Sequence, residues 1–181
     1  TIALGVMGMG LFAVTPLADR SMEEEIANEN MHNIGMWVTG VNLTEDDLGN
    51  LSQIDNVNEV EVKLTYFTKM YIGQRRNWVL FVGIEDFANQ KVDKVVLSSG
   101  TVPGAWEVLT EKGNANNGVY SGGAGARFQA ADRHGELQNF TITGQGKNFL
   151  ASLETREQLA VFYADIDTVR EFSNISGYNS L

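Results

Sequence analysis

The sequence contains no cysteine, only two prolines and two histidines, and 13 Lys and Arg against 23 Asp and Glu. Without cysteine there is no disulfide framework, no thiol nucleophile and no thiolate zinc site. His32 and His134 stand far apart with neither HxH nor HxxxH spacing, so no metal site and no cofactor are expected. The formal net charge is −10, and the only adjacent pair of bases is Arg75-Arg76. A nucleic-acid partner is therefore not expected, because the phosphate backbone calls for a basic face. A phosphate-cradling glycine loop and a GxSxG nucleophile elbow are both missing, which removes the usual signatures of nucleotide binding and serine hydrolysis. Asp46-Asp47 and Glu85-Asp86 are the only paired acids with a glycosidase look, and adjacent acids at a helix start or strand end read as caps and turns. No enzymatic activity is expected.

What is present is enough apolar sequence, 43% of 181 residues, to bury a core in one domain or in two small lobes. The first 18 residues, TIALGVMGMGLFAVTPLA, carry no charge. As a helix they would reach roughly 27 Å, close to the hydrocarbon thickness of a bilayer. With Leu4, Val6, Leu11, Phe12 and Val14 as its apolar body, this segment reads as the end of a transmembrane helix; a shortened signal peptide and a buried core helix are the other readings. Residues 19–33 turn sharply polar, with Glu23-Glu24-Glu25 against Arg20 alone. An acidic flank suits the outer side of a membrane, and a stalk helix is expected there.

The remainder alternates between strand and helix signals. IGMWVTGV at 34–41 predicts a strand. Thr44, with an acid three residues on and Leu48, Leu51 and Ile54 behind it, predicts a capped amphipathic helix over 44–54. VNEVEVKLTYFTKMYI at 57–72 alternates cleanly and predicts the clearest strand. Gly73 to Arg76 predicts a turn, and NWVLFVGIED a central strand. A further strand is expected from Trp106 to Thr110, then a loose glycine-rich loop at 113–125. A hairpin over 126–144 turns at Asp132 to Gly135, LAVFYA at 159–164 forms a strand, and a short helix follows, capped by Asp165. Trp37, Trp78 and Trp106 fall in or beside these strands and are expected to pack in the interior.

The expected class is α+β: a mixed or antiparallel sheet with a helix on one face, plus a small β-rich lobe, preceded by the membrane-derived helix. The lobes are expected at 34–90 and 91–162, with a return segment at 163–181. Arg75 and Arg76 at a hairpin tip, and Gly122 and Gly123 in the glycine-rich loop, are the candidate partner contacts.

Five phrases carry a resemblance. LGNLSQIDNVNEVEVKLTYFTKMYI at 48–72 is followed by FVGIEDF at 81–87, LSSGTVPGAWEVL at 97–109, NFTITG at 139–144 and YADIDTVREF at 163–172. In this order and spacing the chain resembles the extracytoplasmic domain of MacB/FtsX-like permeases of ABC transporters, often called the MacB-like periplasmic core domain. It departs from the family pattern at Gly125-Ala126, where a Gly-Asp pair is usual, and resembles a fragment of a longer permease. The resemblance implies a porter-like lobe, a cell-membrane location with this domain on the extracytoplasmic side, and a permease dimer. It also implies a separate ABC ATPase subunit or domain, and an envelope partner protein or exported substrate outside. It implies no catalytic residue.

Overall fold

The computed structural model describes residues 42–116, 120–148, 151 and 159–180. The expected membrane segment, stalk and first strand, with Trp37, lie outside the described residues. Among those described, no helix is long and apolar enough to cross a membrane.

The elements in chain order are α1 (Glu45–Leu51), β1 (Leu64–Ile72), β2 (Arg75–Ile84), β3 (Val96–Gly100), β4 (Glu107–Glu111), α2 (Lys112–Asn116), β5 (Arg127–Ala131), β6 (Leu137–Lys147), β7 (Ala160–Asp165) and α3 (Ile166–Ser173). The expected α+β class and mixed sheet are present. α1 starts where the capping box predicts: Asp47 N–H donates to the Thr44 hydroxyl, and Thr44 N–H donates to the Asp47 carboxylate at 2.8 Å. It ends sooner than expected, leaving Ile54 53% exposed beyond it. Asn56 takes a left-handed φ of 71° in the turn that follows. α3 begins at Asp165, whose side chain accepts from Asp167 N–H, and closes on left-handed Asn174.

The seven strands form one mixed sheet in the order β3-β6-β4-β7-β2-β1-β5. β2–β7 and β4–β6 are parallel and the other pairs antiparallel. β5 pairs with both β1 and β6, so the sheet curls back on itself. Strands from both predicted lobes thus share one hydrogen-bonded ladder. The predicted strand at 57–72 forms a ladder only from Leu64. Val62 is buried as its alternation requires, yet before Leu64 the backbone pairs only at Lys63, with Ser180.

The core inside the curl is aromatic. Phe81, Phe128, Phe140 and Phe162 are at most 3% exposed and meet at centroid distances from 4.7 to 6.3 Å. α3 closes it with Ile166, Val169 and Phe172. Gly83 makes the approach of α3 to the sheet workable: a methyl there would stand 3.1 Å from Ile166 Cα and 3.2 Å from the Leu64 carbonyl oxygen. A second apolar cluster, with Leu80, Val82, Leu109, Val161 and Tyr163, lies on the opposite face and is covered by Val95, Phe87, Ala151 and Leu159.

Two of the motif glycines meet. Gly100 on β3 pairs with Gly144 on β6. A methyl on Gly100 would overlap the Thr143 carbonyl and one on Gly144 the Ser99 carbonyl. β3 itself carries no strong strand pattern and is not anticipated from the sequence; all five of its residues are exposed.

Candidate interaction surface

The β1–β2 hairpin turns through Gly73 at φ +58°. Arg75 and Arg76 are not in the turn as expected. They open β2, paired with Ile72 and Tyr71, and both are exposed. Alternation sends Arg76 to the solvent face with Trp78, while Arg75 points the other way. The β1–β5 register sets Tyr71 opposite Gln129 in antiparallel sense. The start of β5, preceded by Gly123 to Gly125, therefore lies at the same end of the sheet as the hairpin turn.

Gly122 and Gly123 differ. The Tyr120 hydroxyl occupies the space where a Gly122 side chain would sit, whereas nothing lies within 4 Å of a methyl at Gly123. Gly122 is thus fixed by packing. The stretch expected to be a loose loop begins instead with α2. Asn114 is fully buried and works as a surrogate strand residue: its amide donates to the Val161 carbonyl at 2.8 Å and accepts from Val161 N–H at 3.0 Å.

Trp78 corrects a second expectation. It lies in β2, but it is 49% exposed rather than interior, and it stacks on Phe67, itself 53% exposed. The rings are 4.8 Å apart and within 7° of parallel. Lys69, opposite Trp78 in register, places its ammonium 5.1 Å from the Trp78 ring centre, within cation–π range. Trp106 stands just before β4 at a left-handed φ of 59°. It does pack on Phe140 and Phe172.

Two titratable clusters escape sequence reading. Glu111, 1% exposed, accepts from Gly113 N–H at 3.1 Å, from Asn148 N–H at 3.0 Å and from the Tyr163 hydroxyl. Burial raises its carboxyl pKa, and these three donors oppose the rise. Tyr178 donates toward Glu45 at 2.6 Å and Glu85 at 2.9 Å. Burial, then these two carboxylates, push its phenol up to about 12. Neither residue type nor spacing announces these clusters, because each unites segments more than fifty residues apart. The paired acids considered for glycoside hydrolysis are used structurally. Asp47 caps α1. Asp86 accepts from Ala88 N–H at 2.8 Å and from the Asn89 amide at 2.6 Å; these bonds hold its carboxyl below the usual range. Among the described residues, no group of three or more His, Cys, Asp or Glu is placed to hold a metal ion.

No family model matches the chain, and no curated protein matches it. Solved structures do. The extracellular domain of the noncanonic ABC-type transporter YknZ from Gram-positive bacteria superposes with a TM-score of 0.53 at 13% identity, over 81% of this chain and 79% of that one. The periplasmic region of MacB from Actinobacillus actinomycetemcomitans superposes with a TM-score of 0.50 at 13% identity, over 78% of this chain and 64% of that one. The chain has the fold of a MacB-like periplasmic domain.

Proposed function

We propose that the chain is the extracytoplasmic domain of an ABC-transporter permease. It would act as a non-enzymatic mechanical element, coupling ATP hydrolysis by a separate cytoplasmic ATPase to work outside the membrane. That work is export, release of a lipoprotein, or regulation of an envelope partner. The observation carrying this reading is the fold likeness to extracellular and periplasmic domains of two ABC transporters over about four-fifths of the chain. The uncharged residues 1–18 and the acidic 19–33 support it as membrane anchor and stalk, with a permease dimer as the working unit. Arg75, Arg76, Gly122 and Gly123 are proposed contacts for an outer partner.

Because the chain has no cysteine, a single Ser98→Cys on exposed β3 gives a clean label site. In cells producing the native protein with this change, and with any cysteine outside this chain replaced by serine, a membrane-impermeant maleimide should modify the introduced thiol without lysis, and an ABC ATPase should co-purify from detergent extracts. Labelling only after lysis would overturn the reading. Outside labelling with no ATPase in the complex would favour an anchored binding module instead.

A further inference from the structure

The solvent face of β2–β1–β5–β6 is charged against the trend of the molecule. The chain is −10 overall, yet the outward strand positions of this face hold Lys69, Arg76 and Arg127 and no acid. The nearest acids sit at its rim and are already engaged. Asp132, in the β5–β6 turn, accepts from His134 N–H at 2.8 Å and Glu136 N–H at 2.9 Å. Glu107, one strand beyond on β4, accepts from Gly104 N–H at 2.9 Å. The Phe67–Trp78 stack lies beside Lys69, with Phe67 farther from the hairpin turn, and a row of polar side chains in continuous register crosses the strands at the level of Arg76. Arg76 is opposite Tyr71, Tyr71 opposite Gln129, and Gln129 opposite Asn139, with the Gln129 amide donating to Asn139 at 3.1 Å.

We infer that this face docks an acidic, aromatic-bearing segment of another protein. Its carboxylates would meet Lys69, Arg76 and Arg127, and its aromatic side chain would pack on the Phe67–Trp78 stack. Charge complementarity selects the sign, since three bases with no facing acid leave a positive patch that an anionic partner neutralises. It also disfavours a second copy applied through the same face, which would set base against base. The parallel stacking of the two rings argues for a flat partner over a bilayer: the rings lean on each other rather than projecting as wedges. The hydrogen-bonding row beside them offers donors at strand spacing.

The test uses the whole 181-residue chain and two fluorescent ten-residue peptides of equal charge, one alternating Glu and Phe, the other Glu and Ser. The Glu/Phe peptide should bind at least tenfold more tightly, with affinity falling as salt rises. Lys69→Glu/Arg76→Glu/Arg127→Glu should weaken it by tenfold or more, and Trp78→Ala should reduce the preference for Phe. Single Arg76→Glu serves the same purpose if the triple variant unfolds. Equal binding of the two peptides, or binding unchanged in the charge-reversed chain, overturns the inference. So does a charge-reversed chain that keeps the peptide but loses binding to phosphatidylglycerol vesicles, which would assign the face to a membrane. Loss of self-association with unchanged peptide binding would assign it to a second copy.

Discussion

β2 contributes to two stretches of the same outer surface, and they behave differently. At Leu80, Val82 and Ile84 the surface is buried; two residues earlier, at Trp78, it is half exposed. The pleat is the same in both places. What differs is a cover. Over the first stretch the 85–95 segment is tied down by side chains bonding to its backbone. Gln90 donates to the Phe87 carbonyl and accepts from Val95 N–H at 2.8 Å. Glu61 accepts from Val92 N–H at 2.7 Å and also from Lys91 N–H. Asn148 donates to the Asp93 carbonyl at 3.0 Å. Burial on a sheet face is thus set by what the connecting segments do, not by the strand that carries the residue.

The sharpest test of that contrast compares neighbours on one strand. Leu80→Ala should cost about 2–5 kcal/mol in urea unfolding, as for other buried leucines. A cost as small as that of an exposed residue would mean the cover does not seal the face. Asn148→Ala removes the tie between the cover and the end of β6 and should cost about 1 kcal/mol, the net value of a hydrogen bond, because the Asp93 carbonyl keeps Lys63 Nζ as a donor at 3.0 Å. Hydrogen exchange should speed up first in 91–95, and uniform acceleration across the sheet would contradict the tie.

Glu111 sets the pH response beneath the same cover. Its folded pKa is raised above the ordinary 4.5, so its favourable contribution is complete below that value and is lost as pH rises through the folded pKa. Glu111→Gln should therefore gain stability relative to the parent as pH climbs above about 4.5 and through the raised folded pKa. A difference that stays flat with pH would remove this role. On the bare stretch, Trp78→Ser should change stability by no more than about 1 kcal/mol. A larger loss would show that the Phe67–Trp78 stack supports the fold and is not only a surface.

Local rules are readable where the signal is local. The Thr44 capping box, the Asp165 cap, the 126–144 hairpin and the central β2 strand each follow from spacing within a couple of dozen residues at most. The fold class follows from their order. Trp78 is misread because alternation tells which residues share a face but not which face is covered. Arg75 and Arg76 fall outside the expected turn because Gly73-Gln74 alone suffices to reverse the chain. The buried roles of Asn114, Glu111 and Tyr178 depend on contacts across 47, 52 and 133 residues, distances at which composition and periodicity carry no information. The β3–β6 contact through Gly100 and Gly144 is visible in the sequence only as two unrelated phrases.

The antiparallel bridge between Leu43 and Tyr178, with paired N–H···O bonds of 2.7 and 3.1 Å, has a mechanical meaning. The Tyr178–Ser180 segment is stitched to Leu43 at its first residue and to Lys63 and Thr65 at its next two. A load that peels Ser180 off the body therefore breaks the Lys63–Ser180 pair first and reaches the Leu43–Tyr178 bonds second, like a zipper opened from its end.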